Sequence, residues 1–263
     1  LLAYSAYTGP PDGRRAEVVV QNLLTNERTV PVTLTDDRAS TSTFPSLSGD
    51  GQLLSWEGPE EGQWTAWTAP MAEAVGQELC RGCAVIDFFT GGRHVLVKRQ
   101  QALVRIDRSS GEEVVVLELT DGVLLDCDLS RDDRWLAFKI GEPNGSLGLH
   151  VAPLAEAENG RESWVLISGG DTWIGSPRWS VDGDILYYLS ERDDFLCVWA
   201  QDLDSATKRP VGEPFSVLHL HGSRMKMLPL SRFMWTIEVG ADRLVFNAGE
   251  QTGDVYTAML EED

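Results

Sequence analysis

The sequence predicts an all-β fold, a six-bladed β-propeller of four-stranded antiparallel blades, forming one domain over residues 1–263. Three observations predict it. A corner motif recurs at a constant interval. The strands that follow the corners are apolar on both faces. No segment has the length and periodicity of a helix that would cover those faces.

The blades are expected at about residues 1–34, 41–80, 83–119, 123–168, 174–215 and 217–260. The first, built from Leu1–Ala6, Glu17–Gln21 and Arg28–Leu34, reads as a blade without its inner strand. The second carries the corner Ser48-Gly49-Asp50-Gly51 between a short strand and the apolar run Leu53–Trp56. Asp bonds the backbone ahead of it and Gly accepts positive φ, so an Asp-Gly step between apolar runs marks a hairpin. The third blade is fainter: Val85–Phe89, Gly91-Gly92, His94–Lys98, Ala102–Asp107 and Glu113–Leu119.

The fourth repeats the corner as Ser130-Arg131-Asp132-Asp133 and the fifth as Ser180-Val181-Asp182-Gly183. Asp133 stands where the others have Gly, and Asp visits the left-handed region more readily than most residues. Third strands follow at Gln63–Pro70, Ser146–Pro153 and Phe195–Asp202, ending 22, 23 and 22 residues after their corner serines. Ser163–Ser168 supplies a further fourth strand. The sixth blade is expected from Trp235–Val239, Leu244–Asn247 and Asp254–Leu260. Six such units average about 44 residues, a blade-like period. No fourth strand follows Leu260, so the ring is closed either by residues outside this chain or by an irregular seam between the terminal strands.

Val18-Val19-Val20, Val114-Val115-Val116 and Ile185–Tyr188 lack polar alternation, so their sheets need cover on both faces. Met71–Leu79 has mild helical character but is too short to provide it. Radial stacking of sheets does provide it. Trp56, Trp67, Trp135, Trp179 and Trp199 are then packing between blades rather than a sugar-binding strip.

Acidic residues outnumber basic ones 41 to 22, for a net charge of −19. That field excludes nucleic acid as a partner. The acids are scattered through turns such as Asp36-Asp37 and Asp193-Asp194, as on a solvated surface; recognition of a basic partner or a divalent cation is the sharper alternative. No apolar run reaches the roughly 18 residues of a membrane span, so no membrane insertion by this chain is expected. The chain starts at Leu1 with no signal-peptide pattern and reads as part of something longer. Of four cysteines, Cys127 and Cys197 read as buried apolar residues, and Cys80-Arg81-Gly82-Cys83 as structural, free or disulfide-bonded.

The corners resemble the PD40 (WD40-like) repeat of TolB-type propellers, a short strand, Ser-Pro-Asp-Gly and an apolar-aromatic strand. The repeat's Pro is Gly49, Arg131 and Val181 here. Ser176-Pro177-Arg178-Trp179-Ser180, Tyr188–Asp193, Val198–Gln201, Ala206–Phe215 and Asp242–Asn247 resemble a group of bacterial propellers found at the C-terminus of membrane-anchored serine/threonine kinases or regulators. The resemblance implies a sensor or interaction module in a periplasmic or extracytoplasmic compartment, and brings no catalytic motif with it.

No Gly-x-Ser-x-Gly, His-Glu-x-x-His or phosphate-cradling loop is present. The sequence therefore assigns no catalytic residue, no metal and no cofactor. Two places are candidate ligand sites. Inner strands line a propeller's channel, which puts Asp126, Asp128, Ser176 and Arg178 in it with Trp173 at its rim. His219-Leu220-His221 places two imidazoles on one strand face, with Arg224 and Lys226 beyond; a metal or anion site is one reading, a half-exposed histidine pair the other. The expected function is a non-catalytic sensor or interaction propeller, monomeric in isolation, binding a protein, a peptide or a small polar ligand. The alternatives are the gating propeller of a prolyl-oligopeptidase or tricorn-type peptidase, a TolB-like periplasmic interaction protein, and an enzyme with its site in the channel.

Overall fold

The structure, a computed structural model, describes residues 1–8, 15–34, 44–73, 75–170, 172–221, 225–228 and 236–250. The strand expected at Asp254–Leu260, together with Asp36, Asp37 and Arg224, lies outside the described residues. The fold is an all-β propeller of antiparallel sheets, and in the first five the strands follow chain order. β1 (Leu2–Thr8), β2 (Arg15–Gln21) and β3 (Arg28–Leu34) make a three-stranded sheet. Four-stranded sheets follow. The first is β4 (Ser46–Leu47), β5 (Leu53–Glu60), β6 (Gln63–Pro70) and β7 (Gln77–Arg81). The second is β8 (Ala84–Phe88), β9 (His94–Arg99), β10 (Ala102–Asp107) and β11 (Glu113–Glu118). The third is β12 (Val123–Leu129), β13 (Trp135–Gly141), β14 (Leu147–Pro153) and β15 (Val165–Gly170). The fourth is β16 (Ile174–Trp179), β17 (Ile185–Ser190), β18 (Cys197–Leu203) and β19 (Pro210–Leu218). Beyond them β20 (Met225–Met227) pairs with β23 (Ala248–Glu250), and β21 (Ile237–Val239) with β22 (Leu244–Phe246). Among the described residues no helix is long and apolar enough to cross a membrane.

The corners form one repeated hydrogen-bond network. Ser48, Ser130 and Ser180 donate through Oγ to Asp50, Asp132 and Asp182 at 2.6, 2.6 and 2.5 Å. The same oxygens accept from the N–H of Leu53, Trp135 and Ile185 at 2.9–3.0 Å, where the next strand starts. Gly51, Asp133 and Gly183 occupy the left-handed position with φ of 70°, 60° and 76°. Asp133 also reaches sideways: its carboxylate accepts from Thr90 N–H at 2.9 Å, in the corner of the preceding sheet. A second repeated turn joins third to fourth strands. Asn22, Asp107 and Asp204 each accept from backbone N–H groups two and three residues on. Asn26, Gly111 and Lys208 close these turns at positive φ. The shared turn makes β2 and β3 third and fourth strands, so β1 is a second strand and the first sheet has no inner strand among the described residues.

The core lies between sheets as successive slabs. Val18, Val20, Leu54 and Trp56 join the first two sheets, and Ala66, Val95 and Val97 the next pair. Leu103, Leu117, Leu136 and Phe138 form the third slab; Trp135, Leu149, Trp179 and Tyr188 form the fourth. Each large side chain buried this way contributes about 1.5–3 kcal/mol. All five tryptophans expected between blades are in these slabs, with Trp56 stacked on Trp67 at 6.2 Å. Met71–Leu79 is a turn followed by part of β7, not a helix. Gly76 lies so close to the Trp56 ring that a Cβ would stand 2.6 Å from it. Cys80 and Cys83 are disulfide-bonded, tying the end of β7 to the start of β8.

The polar ties that serve inner-strand N–H groups run in one direction. The inner strand is an edge strand, and its N–H groups need acceptors. Glu57 on β5 accepts from Val85 N–H on β8, and also from Trp64 Nε1 at 2.8 Å. Gln101 accepts from Leu124 N–H at 2.7 Å. Asp126 and Asp128 on β12 accept from Ser176 and Trp179 N–H, both at 2.9 Å. Ser176 Oγ accepts from Ile237 N–H at 3.1 Å. From the sheet of β4–β7 onward, each of the four-stranded sheets thus supplies an acceptor for the next sheet's first strand.

Two stability predictions follow from these ties. Ser180→Ala removes both bonds of a corner serine and should cost about 1–2 kcal/mol, whereas Val181→Ala in the same exposed corner should cost under about 0.5. Glu57→Ala strands a part-buried indole N–H and a buried backbone N–H and should cost about 2–4 kcal/mol, whereas Glu57→Gln keeps one acceptor oxygen, sets its NH2 against the other donor, and should cost somewhat less. Midpoints of urea unfolding measure both, and equal costs for Glu57→Ala and Glu57→Gln would refute the second.

Candidate functional site

The inner strands β8, β12, β16 and β21 are neighbours in space, and they gather a charged cluster. Strand alternation puts Asp126 and Asp128 on one face of β12. On β16 a bulge between Gly175 and Arg178 lets the strand turn Ser176 inward, with φ of +50°. That conformation is strained for a residue with a Cβ. It is held by three sheets at once: the Ser176 N–H goes to Asp126, its Oγ serves Ile237, and its side chain is 1% exposed.

Arg178 is the hub. Its Nε and Nη2 donate to Glu238 Oε1 at 3.1 and 2.9 Å, Nη2 to the Thr236 hydroxyl at 3.3 Å, and Nη1 to the Pro177 carbonyl at 2.7 Å. Burial works against its charge, but Glu238 and Asp128 outweigh burial and raise its pKa further. The carboxylates are raised as well, which for them disfavours the charged form. Burial, then the neighbouring Asp128, pushes the Asp87 carboxyl up to about 8, despite the bond that Phe88 N–H donates to it at 2.7 Å. Burial also raises Asp128, to about 6, against the pull of Arg178 and Trp179 N–H. One guanidinium therefore serves more carboxylates than it neutralises, and the group titrates as a unit.

Of the residues expected in the channel, Asp126, Asp128, Ser176 and Arg178 come together. Trp173 does not stand free at a rim. It packs over Gly175, where a Cβ would meet its ring at 2.9 Å, and Lys139 Nζ lies 4.6 Å from its centre. Lys139 pairs with Asp126 in the β12–β13 register; burial lowers its pKa and Asp126 opposes that. Asp87, Glu238 and Lys139 are members of the cluster that sequence reasoning missed. Asp87 occupies β8 as Asp126 and Asp128 occupy β12, so comparing first strands with one another would have found it.

His219 and His221 belong to a second place, the end of β19. Val198↔Leu218 sets the register there. Continued, it puts Cys197 opposite His219 and Phe195 opposite His221, and the Phe195 and His221 rings stack at 4.4 Å. Leu220 packs into the apolar slab with Leu189, Val198 and Ile237, so both histidines point to the opposite face. There they meet the Asp193 carboxylate at 3.1 and 3.0 Å.

No protein-family model matches the chain, and no curated protein matches it. Solved structures do. A TolB from Acinetobacter baumannii superposes with a TM-score of 0.60 at 14% identity, over 80% of this chain and 55% of that one. A TolB-type protein from Agrobacterium tumefaciens gives 0.59 at 15% identity, over 83% and 80%. A prolyl endopeptidase gives 0.56 at 14% identity, over 93% of this chain and 38% of that one. The chain thus spans about half of the first of these proteins, and at such identities the likeness is one of fold.

The Asp87 carboxyl gives a pH signature. Its pKa is higher folded than unfolded, so between about pH 4 and 8 the native state holds the extra proton and stability falls as pH rises. Asp87→Asn keeps the Phe88 bond and abolishes the charge. It should gain about 1–3 kcal/mol at pH 8 and little at pH 4, at about 2–4 °C in Tm per kcal/mol. Identical pH profiles of Tm for wild type and variant would refute the assignment.

Proposed function

We propose that this chain is a non-catalytic interaction propeller whose channel receives a cationic group of a partner protein or peptide, such as a lysine or arginine side chain. The observation that carries the reading is the surplus of carboxylate around Arg178. Asp87 and Asp128 are raised chiefly by burial, and at Asp87 next by the neighbouring Asp128, against the partial counter-charge of Arg178. A cationic group entering beside them would let them ionise, so binding would be coupled to proton release. The acidic surface steers such a partner inward. The polar groups of the cluster are engaged as ties between sheets rather than as a nucleophile beside its base.

The same reading takes the ring as six-bladed with PD40-type repeats. It makes the module the C-terminal part of a longer bacterial protein, a receptor kinase or a TolB-like interaction protein, placed outside the cytoplasm. The Cys80–Cys83 disulfide supports that compartment. A second reading, the gating propeller of a peptidase, is favoured by the endopeptidase likeness, which covers 93% of this chain. It requires a catalytic domain in the same gene, which the full reading frame decides.

Calorimetry with a lysine-rich peptide in buffers of different ionisation enthalpy tests the first reading. Wild type should bind with release of protons at pH 7, and Asp87→Asn should lose most of that release. Affinity should fall with salt. Saturable binding with no proton release, or peptide hydrolysis abolished by a single channel substitution, would sink it.

A further inference from the structure

We propose that Asp193, Cys197, His219 and His221 form a binding site for one transition-metal dication of the zinc class. One donor atom from each of the four lies within 4.8 Å of all the others. His219 Nδ1 and His221 Nε2 are 2.6 Å apart, and both face the same Asp193 oxygen at 3.1 and 3.0 Å. A tetrahedral ion with bonds of about 2.0–2.3 Å sets its ligand atoms roughly 3.3–3.8 Å apart. The side chains need only open or close by about an ångström to reach that figure.

The donor set chooses the ion. Two imidazole nitrogens, a thiolate and a carboxylate oxygen suit zinc and its cobalt analogue. They do not suit calcium or magnesium, which take oxygen. A thiolate and a carboxylate also neutralise a dication.

The surroundings hold the donors in place. Cys197 is buried and carries no disulfide, and the Leu220 backbone hydrogen-bonds to it. Phe195 stacks on His221, and Trp199 meets His219 edge-on at 5.6 Å. The other Asp193 oxygen, Oδ1, is buried and has no hydrogen-bond partner among the described residues, a costly state that a cation relieves. Both histidines keep a solvent-facing edge, with side chains 41% and 29% exposed, so an ion reaches them from water. Four protein ligands make a closed, structural site. It would fasten the turn between β17 and β18 to the segment leaving β19.

Cobalt spectroscopy tests the proposal on chelator-treated protein. Wild type should bind one equivalent of Co²⁺, with a thiolate-to-cobalt charge-transfer band in the near ultraviolet and strong visible bands of four-coordination, and Zn²⁺ should bleach both. Cys197→Ser should lose the charge-transfer band. His219→Ala and His221→Ala should each weaken binding at least about tenfold. Cys80→Ser/Cys83→Ser should keep the spectrum. Absence of stoichiometric binding to wild type overturns the site, as does a charge-transfer band that survives in Cys197→Ser. If Cys197→Ser does not fold by circular dichroism, the more exposed histidine variants decide: unchanged affinity in both overturns it.

Discussion

The inner strands of this protein have no strand beyond them to take their backbone donors, and much of what is polar in the interior is arranged around that deficit. At four junctions the preceding blade meets it, with different groups: Glu57, Gln101, the Asp126–Asp128 pair and the Ser176 hydroxyl. The apolar slabs hold sheets face to face without fixing their relative height. The acceptors, each aimed at one N–H, supply that register. Burying carboxylates for this purpose raises their pKa values, as at Glu57 and Asp128. The electrostatic character of the channel is therefore a by-product of how the blades are joined.

What could be read from sequence was what depends on neighbours in sequence. The Ser-x-Asp corners were legible because every bond in them spans five residues or fewer, and all three form one network. The second turn was equally local but went unread. It alternates Asn22 with Asp107 and Asp204, and its last position is filled by Asn, Gly and Lys, so identity hides the common geometry. The mild helical character of Met71–Leu79 does not carry into the structure, where Met71–Glu73 is a turn, Gln77–Leu79 begins β7 and Gly76 is required by the Trp56 ring. The ties between blades were not legible, since four residue types perform one task.

The two candidate sites divide along the same line. Period-two spacing correctly put His219 and His221 on one face, yet Asp193 and Cys197 join them only through the β18–β19 register, which bulges at two points. Asp126, Asp128 and Arg178 were reachable as inner-strand residues. Their meaning required Asp87 and Glu238, which lie on strands of other sheets.

The direction of the ties between blades has a further consequence. Because the acceptors that serve inner-strand N–H groups from Glu57 to Ser176 belong to the earlier blade and the donors to the later one, these ties carry a polarity that is independent of the ring shape. As the polypeptide leaves the ribosome, each completed four-stranded sheet would already display the carboxylate, amide or hydroxyl that the next first strand needs. Blades can then be added one at a time onto a finished template, with the long-range part of each step reduced to docking against the sheet just made. An arrangement with the acceptors reversed would have the same contacts and the same shape, but its early blades would wait with buried donors unpaired until the following one was synthesised.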